Sequence, residues 1–216
     1  DDSSRAGVER FVFASTCSNY GRMNGNDFAD EEFELAPVSL YAETKVAAET
    51  SVLEANHGLA GTCLRFATVY GTSPRMRFDL TVNEFTRDLA VKGELTVFGE
   101  QFWRPYVHVR DAAEAVASVV TAPLDAVAGE VFNVGNTSEN YRKLDIVELL
   151  RDRVPDAVVT FVHRDEDPRD YRVSFEKFAD RVGFTPERTI DQGIDEVFDL
   201  LHSGLIEDPY APSFRN

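Results

Sequence analysis

The stretch Val8–Ser15 (VERFVFAS) is nearly continuously apolar, the pattern of a strand covered on both faces of a parallel sheet, and it runs into a polar loop containing Gly21. Beyond it, Pro37 and Ser39 precede an amphipathic segment that predicts a helix over Leu40–Asn56, stopped at His57-Gly58. A second strand is expected at Thr62–Tyr70 and a helix at Thr81–Lys92, halted by Gly93. This alternation of strand and helix defines an α/β protein with a parallel sheet. Short strands follow at Leu95–Phe98, Tyr106–Val109 and Val131–Val134, with helices at Asp111–Thr121 and Leu144–Arg153.

The last third changes character. A helix, a strand at Val158–His163, a charged loop and two further helices are broken by Pro155, Pro168 and Pro186, which reads as a smaller lobe over residues 136–216 beside a main domain over 1–135. Segments of the lobe are expected to interleave with the main domain, and Asp208–Asn216 reads as a tail.

Composition narrows the possible functions. The chain has 216 residues, 43% of them apolar, enough for a real core. The 38 acidic residues exceed the 22 basic ones, for a net charge of −16, so nucleic acid and anionic lipid are excluded as general partners. No apolar run reaches the length of a membrane span and no signal peptide opens the chain, so a soluble, cytoplasmic protein is expected. Cys17 and Cys63 are too few for a disulfide framework, and four scattered histidines give no zinc spacing, so no metal is expected. Of the basic residues 18 are Arg, a bias that fits either adaptation to high salt or a GC-rich genome.

None of the thirteen glycines forms a GxGxxG turn, although chains of strand–helix units commonly open on one. Asp1–Arg10 resembles the end of a helix leading into a strand, so the sequence reads as starting in mid-fold, with about 100 residues expected to precede it. The first strand would then have an open edge, which predicts poor solubility unless another chain covers it.

Tyr41 and Lys45 are four residues apart and share one face of the expected helix. An ammonium beside a phenol favours the phenolate, one way of making an acid/base useful near neutrality. The spacing alone is weak: seven tyrosines and four lysines in this chain give roughly 0.13 chance matches. Context strengthens it, because Ser15, Thr16 and Ser18 cluster just after the first strand, where open α/β sheets present their ligands.

Four motifs in order, FVFASTCSNYG (Phe11–Gly21), YAETK (Tyr41–Lys45), LRFATVYG (Leu64–Gly71) and RPYVHVRD (Arg104–Asp111), resemble the extended short-chain dehydrogenase/reductase family. Its NAD-dependent sugar-nucleotide epimerases and dehydratases are the nearest match, over about residues 7–202. The resemblance implies a Rossmann-type sheet with its N-terminal part missing and an α/β substrate-binding lobe. It also implies NAD as cofactor, a nucleotide-sugar substrate and a homodimer.

Carried over by motif, Thr16 would hydrogen-bond the sugar hydroxyl, Tyr41 would be the acid/base, and Lys45 would hold the nicotinamide ribose. These three would share the cofactor site with Ala67, which would touch the nicotinamide end through its backbone. In such an enzyme the tyrosine removes a hydroxyl proton while hydride leaves the same carbon, and return of hydride to the other face inverts the centre. Thr68 departs from the Asn that many epimerases use to hold the substrate diphosphate. Arg104 matches a diphosphate-binding Arg, although Pro105 follows it where relatives often have Asp. In the charged loop Arg164–Lys177, either Arg169 or Arg164 would be a further phosphate contact, with Arg75 and Arg77 as weaker candidates.

Cys17-Ser18 stands where the family's 4,6-dehydratases carry an Asp-Glu pair, which argues against water elimination. Cys17 reads as a packed residue rather than a nucleophile, and His108 as a core or strand-end histidine. The resulting expectation is an NAD-dependent epimerase of a nucleotide-diphosphate sugar. The alternatives are a keto-sugar reductase or dehydratase of the same family, and an inactive homologue acting as a binding protein. The sugar, the base, the carbon and the choice between NAD and NADP stay open.

Overall fold

The computed structural model describes residues 2–23, 27–54, 59–165, 167 and 169–216. A four-residue helix, α1 (Asp2–Arg5), leads through Gly7 into β1 (Arg10–Thr16), as the N-terminal sequence implies. Then come α2 (Leu40–Leu53), β2 (Ala60–Phe66), β3 (Thr68–Tyr70), α3 (Thr81–Lys92), β4 (Glu94–Phe98) and β5 (Trp103–His108). The chain continues with α4 (Val109–Thr121), the short α5 (Leu124–Val127), β6 (Glu130–Val134), β7 (Asn140–Arg142), α6 (Lys143–Arg151), β8 (Val158–Val162), α7 (Glu176–Val182) and α8 (Ile190–His202).

The principal sheet is parallel, in the order β1-β2-β6, with Phe11 opposite Gly61 and Leu64 opposite Phe132. A second sheet, β3-β5-β7, pairs β3 and β5 in parallel and β5 and β7 antiparallel, and β4 pairs with β8 in parallel. This is a Rossmann-type α/β arrangement. The strand expected over 62–70 is two strands, because Ala67 interrupts it: its N–H donates to Val134 O at 3.0 Å, and the chain then passes from the partners of β2 to those of β3.

β1 departs from the expectation of burial on both faces. Arg10–Phe13 are half-buried and Ala14 is exposed, and only Ser15 and Thr16 are buried. The reason is position: among the described residues β1 pairs with β2 alone and lies at the sheet edge. Ser39 caps α2 by accepting from Ala42 N at 3.2 Å. That helix buries little beyond Ala42 and Glu49 and leaves Leu40 74% exposed. It ends at Leu53, and the expected stop at His57-Gly58 lies outside the described residues. Gly93 ends α3 as expected, at φ +67°, in the left-handed conformation that glycine adopts without a Cβ clash.

Packing interleaves chain order. Leu89 of α3 and Leu95 of β4 share a core with Ile146 and Leu150 of α6 and Ile194 of α8. In the other direction α7 returns to the principal sheet, where Phe178 packs edge-on against Phe132 with ring centroids 5.4 Å apart. The expected tail is docked rather than loose. Phe214 packs edge-on against the buried Phe78 and accepts from its N–H at 2.9 Å, and Tyr210 OH donates to Asp88 at 2.9 Å. Among the described residues no helix is long and apolar enough to cross a membrane.

Candidate active site

The carboxyl ends of β1 and β2 open on one side of the principal sheet, where a cavity of about 900 Å³ lies against them. Thr16 ends β1 and caps the 3-10 turn that follows, its hydroxyl accepting from Ser18 N at 3.1 Å. Ala67 sits at the break between β2 and β3, and Thr68 is the next residue. α2, set at its start by the Ser39 cap, contributes Tyr41 and Lys45. All five residues line the cavity, so β1 and α2 deliver the expected alcohol, phenol and ammonium to one place beside the β2–β3 break.

Lys45 is held there rather than solvated at random. Its Nζ donates to Ala14 O at 2.6 Å and lies 4.8 Å from the Phe13 ring centroid and 5.8 Å from that of Tyr41. The ammonium therefore bridges the edge strand and the phenol-bearing turn of the helix. Tyr41 is 55% exposed, so it is open to a ligand.

The cavity's cationic wall comes from elsewhere in the chain. Arg104 of β5, 7% exposed, donates to Asp167 Oδ2 at 2.8 Å and to Trp103 O at 2.7 Å, and stands 5.6 Å from the Tyr171 ring centroid. Arg169 also lines the cavity. Arg164 is not among the lining residues: its guanidinium stacks 5.3 Å from the Phe98 ring, and its carbonyl accepts from Gln101. Of the two weaker candidates, Arg77 reaches the lining but is paired with Asp79 at 2.9 Å, and Arg75 is bonded to Asn216.

The residues read as structural behave so. His108 is fully buried and caps α4, its Nδ1 accepting from Arg110 N at 3.2 Å, which assigns the proton to Nε2, 3.1 Å from Glu196 Oε2. Cys17 is buried with Sγ 3.1 Å from Arg65 O, and burial pushes its thiol well above the ordinary range, away from the nucleophilic thiolate.

Sequence reasoning missed several residues. Glu49, one turn beyond Lys45, forms a buried pair with Arg65 of β2, Nη2 to Oε2 at 2.8 Å, and Asn19 donates to the same carboxylate at 3.0 Å. A Glu at i+4 from the site lysine and an Arg inside an apolar strand were the available signal. Lys143 and Tyr171 also line the cavity, and burial pushes the Tyr171 phenol up to about 12. Nothing local in the sequence marks either one.

A Rossmann-type sheet with Tyr, Lys and Thr gathered at its carboxyl edge is the arrangement of a short-chain dehydrogenase/reductase type of protein. Residues 2–135 match the NAD dependent epimerase/dehydratase family, and the chain belongs to that family. The Bacillus subtilis protein YtcB, described as an uncharacterized UDP-glucose epimerase, is 33% identical over 148 residues, covering 67% of this chain and 45% of that protein. The chain thus spans under half the length of that relative. Among solved structures, MoeE5 in complex with UDP-glucuronic acid and NAD superposes with a TM-score of 0.80 at 26% identity, covering 94% of this chain and 68% of that one. The UDP-glucose 4-epimerase of Thermotoga maritima with UDP-glucose gives 0.81 at 25% identity, with 94% and 67% covered.

Proposed function

We propose that this cavity is the catalytic site of an NAD-dependent epimerase acting on a nucleotide-diphosphate sugar. The observation that carries the reading is the convergence of Thr16, Tyr41, Lys45 and Ala67 on a cavity whose wall also holds Arg104 and Arg169. Family membership and the NAD and UDP-sugar complexes of the similar structures support it.

The residues fit the nicotinamide end of the cofactor. Ala67 presents a small side chain and a backbone already fixed to Val134, and the Lys45 ammonium is pinned at β1 with hydrogens left to donate to a ribose. When bound, NAD would accept and return a hydride. On the chain's side, Tyr41 exchanges a proton with the reacting hydroxyl, Lys45 holds positive charge beside the phenol, and Thr16 orients the sugar through its hydroxyl. Arg104 and Arg169 hold the diphosphate, and Thr68 makes a smaller contact in place of an amide. Arg164, stacked on Phe98 and itself outside the lining, is not assigned a phosphate contact.

Epimerisation is favoured over 4,6-dehydration because Cys17 is a buried, protonated thiol hydrogen-bonded to Arg65 O, leaving no acid/base pair to expel water. The same reading makes the protein a cytoplasmic homodimer that packs helices together. The test is incubation with a panel of UDP-, GDP-, CDP- and dTDP-sugars and NAD without added reductant, with product analysis. One sugar should be inverted, and Tyr41→Phe should lower turnover by about 10²–10⁴-fold with an unchanged melting temperature. Turnover only when NADH is added, with its stoichiometric consumption, would favour the keto-sugar reductase, failure to bind NAD would favour a binding homologue, and undiminished turnover by the Phe variant would remove Tyr41 from the mechanism.

A further inference from the structure

Asp167 has more cations than it can neutralise. Its Oδ2 accepts from Arg104 Nη2 at 2.8 Å and lies 3.8 Å from Lys143 Nζ, and its Oδ1 lies 3.6 Å from Arg169 Nε. Oδ1 also accepts from Arg169 N at 2.9 Å. Among the described residues this one carboxylate faces three permanent or near-permanent cations, and the four groups together carry an excess of two positive charges. Arg104, Lys143 and Arg169 all line the cavity. Two further carboxylates among the described residues near the cluster are engaged elsewhere, Glu100 by His163 at 3.3 Å and Asp170 by Trp103 N at 2.9 Å.

Lys143 carries this argument because it is the cation with the least reason to be there. It opens α6, and a lysine in the first turn of a helix opposes the helix dipole. Its side chain is only 17% exposed, and its Nζ donates to Phe98 O at 2.7 Å. Burial and then the charge of Arg104 push its pKa below the ordinary lysine range. A desolvated ammonium that repels its neighbour gains most from a second anion, and its remaining N–H groups are available to one.

We propose that Lys143 is a binding residue for the substrate's diphosphate, completing with Arg104 and Arg169 a three-cation seat whose excess charge of two matches a diphosphate bridging two esters. The proposal rests on the nucleotide-sugar reading for its substrate but on the charge cluster for its chemistry. Asp167 fixes the seat from behind by holding Arg104.

The experiment is equilibrium titration of the full chain with UDP, uridine and inorganic pyrophosphate, each as a function of salt. Lys143→Met should weaken UDP and pyrophosphate by about ten-fold, the scale of one charge-assisted contact, leave uridine unchanged and flatten the salt dependence. Lys143→Arg should recover most of the loss, and melting curves identify a variant that has not folded. UDP and pyrophosphate held equally by the Met variant and the native chain would overturn the proposal while leaving the nucleotide-sugar reading intact. Lys143-dependent binding of pyrophosphate without preference for UDP would keep the seat and remove the nucleotide. Weakening of uridine to the same degree would overturn the seat, because uridine has no phosphate to lose.

Discussion

Glu139 is a carboxylate only 4% exposed, accepting from Ile190 N at 2.8 Å and from Tyr141 OH at 3.4 Å. Burial pushes its pKa up, and the Ile190 N–H pulls the other way without cancelling it. The native state therefore holds this proton more tightly than the unfolded chain, and stability falls as pH rises from the unfolded value through the folded one. Glu139→Gln keeps an acceptor for Ile190 N and removes the buried charge. It should raise the melting temperature at pH 7, with the advantage shrinking toward pH 4. A difference that is the same at both pH values would show that the carboxylate's ionisation is not its source. The same scale separates site residues by legibility. Tyr41, Lys45 and Thr16 are readable because their spacing and motifs are local, whereas Lys143 acquires meaning only beside Asp167 and Arg104, from distant segments.

At the scale of elements, α2 is held more by one ionic clamp than by apolar burial, since it buries only Ala42 and Glu49. Glu49 of α2 accepts three hydrogen bonds from Arg65 of β2, Nε to Oε1 at 3.0 Å, Nε to Oε2 at 3.2 Å and Nη2 to Oε2 at 2.8 Å. Arg65 also donates to Tyr20 OH at 3.0 Å, and Tyr20 donates to Asn133 at 2.7 Å. The clamp joins the helix carrying Tyr41 and Lys45 to the strand that ends at Phe66, next to Ala67, so it fixes the separation of the proposed catalytic groups. A buried pair is no proof of net stability, but removing one partner strands the other. Glu49→Ala should cost about 3–5 kcal/mol in urea unfolding, and Glu49→Leu with Arg65→Met should recover much of it. A cost under about 1 kcal/mol for the Ala variant would mean that Arg65 finds water or another partner.

Across the whole molecule the cavity draws on nearly the full described chain, since Ala14 and Asn216 both line it. Asn216 is held there by its N–H to Asp79 at 3.1 Å, and the guanidinium of Arg77 holds the Asp79 carboxyl down to about 2. Phe214 anchors the same segment against Phe78. Phe214→Ala should lower stability by about 2 kcal/mol, less than a fully buried Phe costs, and, on the proposed function, raise the KM for the sugar nucleotide more than it changes kcat. An unchanged KM would mean that the segment only covers Phe78.

The sequence by itself determined the α/β class, the extent of α3 and its stop at Gly93, and the motif that places Tyr41 one turn from Lys45. These are properties of neighbouring residues: periodicity, caps and turn chemistry act over a few positions. Tertiary structure decided that Thr62–Tyr70 divides at Ala67, that β1 is a half-buried edge, that residues 208–216 dock, and that Arg169 rather than Arg164 faces the cavity. Those outcomes depend on which strand pairs with which and on where charges from remote segments meet, and no local pattern encodes such distances.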